Sequence, residues 1–141
     1  MNTPEEKEEK AWRKVKYSQK FLNAFRGLRV FWATTNNLLI HATISLAVVI
    51  LGLYFSISSF EWIALIFAIG FVMVAEAFNT AIEIDIDLTS PEFHPYARDT
   101  KDVAAAAVLL AVFTAVIIGL IVFLPKILCY MDYHIPMALG H

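Results

Sequence analysis

Between Glu76 and Asp102 the sequence reads EAFNTAIEIDIDLTSPEFHPYARDTKD. On a helix, side chains that follow one another at intervals of three and four residues project from the same face. That spacing places five polar side chains of this stretch in one row: Glu76, Asn79, Thr80, Glu83 and Asp87. The residues just upstream, 62–75, are almost wholly apolar. The pattern therefore predicts a polar stripe along one side of a membrane-spanning helix, where an ionisable group needs a partner or a proton.

The composition indicates a membrane protein rather than a soluble domain. Of the 141 residues, 59% are hydrophobic, whereas soluble domains contain about half. A helix needs about 20 apolar residues to cross the hydrocarbon layer. Three windows reach this length, and we expect one span in each: Leu38–Ile57, Glu61–Asp87 and Val103–Leu124.

The distribution of the basic residues predicts the orientation of these spans. Eight of the eleven lysines and arginines precede the first span, two lie between the second and third spans, and Lys126 follows the third. Because cytoplasmic loops carry the excess of positive charge, the amino terminus and the second loop are expected to face the cytoplasm. The carboxyl terminus is then expected on the outer side.

The segment before the first span divides into two parts. Residues 1–11 mix Glu and Lys without an apolar period, which is typical of a disordered tail. Residues 12–33 interleave aromatic and aliphatic with basic side chains, which predicts an amphipathic helix in the membrane interface. The sequence leaves open whether this helix is a simple anchor or a lid that receives a lipid. The three-span domain is expected at 34–128, and a carboxyl-terminal tail at 129–141.

Small residues recur every four positions in the third span. They are Ala107, Ala111, Ala115 and Gly119. Such a ridge lets another helix approach closely, and three spans alone make a thin bundle, so we expect several copies to assemble. Pro125 is predicted to close the span. The fold class is therefore an all-α membrane protein, with three transmembrane helices after an amphipathic interfacial helix, in an oligomeric bundle.

The polar stripe has three possible roles. Asn79 and Thr80 alone would suit hydrogen bonds that hold helices together. The three carboxylates do not suit that role, because each is costly in hydrocarbon and helix packing requires none of them. A proton or ion relay would use the carboxylates, but it leaves Lys101, Asp102 and the amphipathic helix without a function. The pattern favours chemistry at the membrane surface.

Phosphoryl transfer fits the order of these residues along the helix. The reaction needs a base near the attacking hydroxyl, cations on the phosphates and alignment of the two. Glu76 lies deepest and could accept the proton of a lipid hydroxyl, with Asn79 to orient it. Glu83 lies nearer the surface, where one carboxylate and several waters could hold a Mg²⁺ ion on nucleotide phosphates. Lys101 supplies a compact positive charge for phosphate oxygens.

The motifs in this region closely resemble the bacterial integral-membrane lipid kinases, the diacylglycerol kinase and undecaprenol kinase family. The likeness runs from about Gly27 to the end of the third span, and the residues that carry it are Glu76-Ala-Phe-Asn79-Thr-Ala-Ile-Glu83, Asp87, Glu92-Phe-His94 and Lys101-Asp102-Val-Ala-Ala-Ala-Ala-Val. It implies a homotrimer in the bacterial cytoplasmic membrane that uses MgATP at subunit boundaries. The substrate would be a lipid alcohol: diacylglycerol, giving phosphatidic acid, or undecaprenol, giving undecaprenyl phosphate.

The resemblance also implies roles for individual residues. Glu76 would be the catalytic base with Asn79 beside it, and Glu83 would bind the metal and the nucleotide. The rest of the nucleotide site would comprise Glu92, Phe93, His94, Lys101 and Asp102.

Three positions bear on activity and substrate. Many family members carry, just before the first span, a Glu that helps to hold the metal, and Thr35 occupies that position here. Either the metal relies on Glu83, phosphates and water, or this chain is a weakened or inactive homologue. His41 is interpreted as a packing residue near the interface rather than a ligand. His41 and the Phe93-His94-Pro95 turn resemble the polyprenol branch of the family.

Other classes of site lack support in the sequence. No Gly-rich loop followed by Lys-Ser or Lys-Thr is present, and the four histidines do not show the spacing of zinc ligands. Cys129 is the only cysteine, which excludes a disulfide within the chain. A nucleic-acid partner is not expected.

Overall fold

The computed structural model describes residues 17–35 and 37–138, and within these ranges every regular element is a helix. The elements are α1 Tyr17–Thr34, α2 Leu38–Tyr54, α3 Ser59–Thr89 and α4 Pro95–Ala138. Helices α3 and α4 are long and apolar enough to cross a membrane, and α1 and α2 taken together as one broken span would add a third. The predicted all-α fold class is confirmed, and the three predicted spans compare with two to three candidate spans among the described residues. The predicted tail at 1–11 lies outside the described residues.

Helix α1 belongs to a separate compact unit, which ends at Thr34. Four of its large apolar side chains form an exposed row, at positions Phe21, Phe25, Leu28 and Trp32. These positions are four, three and four residues apart, so they share one face, and Arg26 points to another face. This arrangement has the features of an interfacial amphipathic helix, and the position of α1 in the interface stays a prediction.

A tight corner joins α2 to α3. It lies at the end of the bundle that is predicted to face the outer side of the membrane. Ser56 adopts a left-handed backbone conformation with φ of 48°. The Ser58 hydroxyl then accepts a hydrogen bond from the Glu61 N–H, and the Glu61 carboxylate accepts one from the Ser58 N–H at 2.6 Å. This capping box satisfies two of the free N–H groups at the start of α3. Residues Ile57, Leu65, Val122 and Phe123 form the buried core beneath it.

Gly52 permits the close approach of α2 to the corner. A Cβ atom at this position would lie 2.8 Å from a ring carbon of Trp62 and 3.0 Å from a side-chain carbon of Ile57. We therefore expect Gly52→Ala to lower the stability of the folded protein by about 1–3 kcal/mol, the usual cost of an overpacked core. The thermal unfolding midpoint in detergent measures the change. Gly70→Ala is the matched control, because no atom lies within 4 Å of its added Cβ, and equal midpoints for the two variants would contradict the prediction.

Helices α3 and α4 pack against each other along much of their length. The ridge of small residues lies partly in this contact, since Ala111 is 1% exposed. Ala111 and Ala115 line a crevice of about 310 Å³ with Phe67 and Phe71 of α3. At Ala111 and Ala115, the small residues of α4 therefore allow α3 of the same chain to approach closely.

The prediction that Pro125 ends the third helix was wrong. Helix α4 begins at Pro95, a favoured residue in a first helical turn, and continues through Pro125 to Ala138. Contacts after the proline explain why the helix persists there. The Lys126 ammonium lies 3.1 Å from the Glu61 carboxylate, and the Tyr130 ring packs edge-on against Tyr54 and Phe55. These tertiary contacts outweigh the local preference of proline to end a helix. Helix α4 thus includes residues 129–138 of the predicted tail.

Candidate functional site

The predicted stripe lies on α3 and runs from buried to exposed positions. Glu76 is 4% exposed and Thr80 is 7% exposed. Asn79 is partly buried, and Glu83 and Asp87 are exposed. The stripe thus carries one ionisable carboxyl group in the apolar part of the helix and two more near the turn that leads to α4. This gradient separates a dry end of the site from a wet end.

Glu76 contacts the imidazole of His41. His41 Nε2 lies 2.7 Å from Glu76 Oε1, and the two side chains are 16% and 5% exposed. The interpretation of His41 as a packing residue missed this pair. A signal was present in the sequence, because a carboxylate in an apolar helix needs a partner. His41 is the only His, Asp, Glu, Lys or Arg in Leu38–Ile57.

Thr35 and Thr80 form a second link between the start of α2 and α3. Their hydroxyl oxygens are 3.0 Å apart. Thr35 therefore uses its hydroxyl to bond α3 at the position where a carboxylate was expected from the family pattern. Thr80 lies one turn beyond Glu76, so both links fall on the same face of α3.

Asn79 and Glu83 form a hydrogen-bonded pair at the middle of the stripe. Asn79 Nδ2 donates to Glu83 Oε1 at 2.9 Å, while the buried Asn79 Oδ1 has no partner within the described ranges. Among the residues that the structure describes, no group of three or more His, Cys, Asp or Glu side chains could hold a metal by itself. A Mg²⁺ ion does not require such a group, since it is usually bound by one or two carboxylates together with phosphates and water. Glu83 fits that lesser requirement.

A recess of about 240 Å³ lies where α3 ends and α4 begins. It brings together four of the predicted nucleotide-site residues: Glu92, Phe93, His94 and Lys101. The Lys101 ammonium contacts the carboxylate of Asp87, which also lines the recess. Arg98 is a further lining residue that the sequence reasoning did not select. The recess thus combines an aromatic ring, an imidazole, two cations and the carboxylates of Asp87 and Glu92.

Two of the predicted residues lie outside the lining of this recess. Glu83 is one turn before Asp87 on α3. Asp102 faces Arg98 instead, with 3.9 Å between the guanidinium Nε and the carboxylate. Lys101 and Asp102 are neighbours on a helix, so their side chains diverge by about 100°, and only that of Lys101 lines the recess.

An apolar cavity of about 250 Å³ lies among α2, α3 and α4 and reaches His41. Aliphatic and aromatic carbons line most of it, from Leu65 and Phe123 near the α2–α3 corner to Val72 and Met73 beside His41. An imidazole in contact with Glu76 therefore borders hydrocarbon-like space. A lipid alcohol fits both parts of this environment, because its hydroxyl can contact the polar pair while its chain lies in the apolar cavity.

Most of the chain matches one protein family. Residues 22–123 match the model of the prokaryotic diacylglycerol kinases. The chain belongs to this family. Over 112 residues it is 38% identical to the undecaprenol kinase of Bacillus subtilis, a match that covers 79% of this chain and 91% of that protein. It is 36% identical to the diacylglycerol kinase of Synechocystis over 79% of this chain and 64% of the relative.

The prokaryotic diacylglycerol kinase of Escherichia coli is 30% identical over 94 residues, which cover 67% of this chain and 77% of the relative. Membership of the prokaryotic diacylglycerol kinases confirms the resemblance drawn from the stripe and the Lys101-Asp102 pair. The chain is a lipid kinase of this multi-pass membrane family, and its phosphoryl donor is ATP. The relay alternative has no comparable support.

Proposed function

We propose that the chain transfers the γ-phosphate of ATP to the hydroxyl of diacylglycerol or undecaprenol at the cytoplasmic face of the bacterial inner membrane. The observation that carries this proposal is the order of groups along α3. A buried carboxylate at Glu76 is followed by the Asn79–Glu83 pair and then by the Asp87–Lys101 contact beside the recess. A lipid alcohol reaches the first group from the bilayer, and a nucleotide reaches the last from water.

Glu76 acts in this proposal as the base that accepts the proton of the lipid hydroxyl. Its partner His41 lines the apolar cavity, so in this proposal the hydroxyl end of a membrane lipid approaches the pair from that side without leaving the bilayer. Removal of the proton makes the oxygen a better nucleophile for the γ-phosphorus. Asn79, one turn towards the surface, has a buried carbonyl oxygen free of partners within the described ranges. That oxygen can accept the hydrogen bond of the hydroxyl while the alcohol approaches, before the same proton passes to Glu76.

The nucleotide occupies the recess in this proposal. Lys101 and Arg98 offer positive charge to the phosphates, and Phe93 and His94 offer rings beside which a base can stack. Seven residues separate Glu76 from Glu83, about 10 Å along the helix, so in this proposal the phosphate chain extends from the recess past Glu83 towards Glu76. Glu83 is the protein ligand proposed for Mg²⁺, which when bound neutralises charge on the phosphates. Asp102 contributes through its ion pair with Arg98.

The resemblance to the family also supports a proposal for the assembly and the orientation of the chain. We propose a homotrimer with an active site at each subunit boundary, the amino terminus in the cytoplasm and the carboxyl terminus outside. The exposed Glu83 and the open recess support a shared site, because a second subunit could enclose what one chain leaves exposed. The basic residues before α2 support the orientation.

A transfer assay tests the proposed function directly. Purified protein in detergent micelles is incubated with γ-labelled ATP and Mg²⁺, with diacylglycerol or undecaprenol as acceptor. We expect labelled phosphatidic acid or undecaprenyl phosphate, and no label in the lipid when EDTA removes Mg²⁺. The acceptor with the higher kcat/KM identifies the substrate.

Two results would count against this proposal. Folded protein that labels neither lipid contradicts the kinase assignment for this chain. Proton flux into protein-containing liposomes, in the absence of transfer, would favour the relay. Transfer that persists in EDTA would leave the kinase assignment intact and remove Glu83 as a metal ligand.

A further inference from the structure

The proposed transfer leaves His41 without a role, although this residue makes the one hydrogen bond that the structure gives to Glu76 within the described ranges. His41 lies in the first turn of α2, and its Nε2 is 2.7 Å from Glu76 Oε1. With a proton on Nε2, the imidazole donates to this oxygen. The second carboxylate oxygen, Oε2, keeps its lone pairs for another donor. The hydrogen bond thus distinguishes the two oxygens of Glu76.

A second side-chain contact lies beside the His41–Glu76 pair. The Thr35 and Thr80 hydroxyl oxygens are 3.0 Å apart, and Thr35 lies three residues before the start of α2. Glu76 and Thr80 are four residues apart on α3, so the two contacts are one turn apart on one face. Both contacts join α3 to the region where α2 begins, and together they limit the movement of the imidazole beside the carboxylate.

His41 also borders the apolar cavity among α2, α3 and α4. Its ring therefore lies between the carboxylate and the space from which a lipid can approach. Water reaches this pair poorly, since the side chains are 16% and 5% exposed. In such surroundings few water molecules are available to replace a lost protein hydrogen bond, so the orientation of Glu76 depends on His41.

We propose that His41 is a positioning residue for phosphoryl transfer, which holds Glu76 Oε1 so that Oε2 faces the lipid hydroxyl. This inference rests on the proposed function, because it assigns His41 to the same site and the same step. It predicts that loss of the Nε2 hydrogen bond lowers kcat and leaves the binding of ATP unchanged. A displaced base slows the chemical step, whereas the recess for the nucleotide lies beyond the other end of the stripe.

Two substitutions at this position separate positioning from packing. His41→Leu fills the space with an apolar side chain and is expected to lower kcat by about 10- to 100-fold, the usual effect of a misplaced catalytic group. The KM for ATP is expected to stay near the wild-type value. His41→Gln carries an amide N–H near the position of Nε2 and is expected to recover kcat to within a few-fold of wild type. Steady-state kinetics of the purified protein with the better lipid acceptor measure all three quantities.

Matched variants make the outcomes distinguishable. Thr43→Val changes another polar residue of α2, whose hydroxyl donates to the Leu39 carbonyl oxygen of its own helix, and it should keep the wild-type kcat. Wild-type protein inactive on both lipids would mean that the proposed function has failed. With active wild type, a normal kcat in His41→Leu, or no recovery in His41→Gln, would overturn the positioning role alone. If His41→Leu raised the KM for ATP by as large a factor as it lowered kcat, the positioning role would also be overturned.

Discussion

Replacing Glu76 with Gln is expected to lower the kcat for lipid phosphorylation by about 10²- to 10⁴-fold, the contribution of a general base. Gln has nearly the same shape and can keep the hydrogen bond to His41, but its amide cannot accept the proton of a hydroxyl. The KM for ATP is expected to change little. Asp87, beside the nucleotide recess, is eleven residues away, about 16 Å along α3. Single-turnover transfer from labelled ATP, with nucleotide binding measured separately, tests both statements.

Glu61→Gln is the control for this substitution. It makes the same carboxylate-to-amide change on the same helix, at the opposite end of the membrane-spanning part. Gln can also serve in a capping box, so α3 should start at the same residue and kcat should stay near wild type. If Glu76→Gln turned over lipid at the wild-type rate, Glu76 would not be the base. If Glu61→Gln lost activity equally, the effect would be one of helix stability.

The stripe could be predicted from the sequence because it depends only on the geometry of one helix. Three- and four-residue spacing puts Glu76 and Glu83 on one face, and the apolar run before Glu76 sets the depth of each. The pairing of Glu76 with His41 depends instead on the register between α2 and α3, across 35 residues of sequence. Local periodicity does not contain that register. The Thr35–Thr80 and His41–Glu76 contacts specify it, and they become visible only in three dimensions.

The sequence grouped the residues of the recess only in part, and the reason is again the three-dimensional arrangement. The turn between α3 and α4 returns the chain so that Lys101 meets Asp87, fourteen residues earlier. Resemblance to the family selected Lys101 and Asp102 together, but a helix points successive side chains in different directions, and Asp102 faces Arg98. At the end of α4, tertiary contacts outweigh a local preference. The propensity of Pro125 predicted the end of the helix, but contacts of Lys126 and Tyr130 with the α2–α3 corner outweigh that propensity.

Replacing Lys101 with Met is expected to lower kcat/KM for ATP by about 10²- to 10³-fold, the effect of removing one preorganised donor from a site of developing charge. Lys101 is 35% exposed, contacts the carboxylate of Asp87 and lines the recess. Met keeps most of the length of the side chain but brings no charge to the phosphates. It also leaves Asp87 unneutralised in the recess, where a carboxylate repels a nucleotide. Steady-state kinetics with ATP varied at saturating lipid measure the loss.

Lys126→Met is the matched control, because Lys126 is a lysine of the same helix that is also paired with a carboxylate, Glu61, at the opposite end. It should keep the wild-type kcat/KM for ATP. The double variant Asp87→Asn with Lys101→Met separates the two causes of the loss. Partial recovery in the double variant would assign part of the effect to repulsion by Asp87, whereas no recovery would assign it to the missing ammonium. A wild-type kcat/KM in Lys101→Met would remove Lys101 from the nucleotide site, and the recess would then depend on Arg98 for its positive charge.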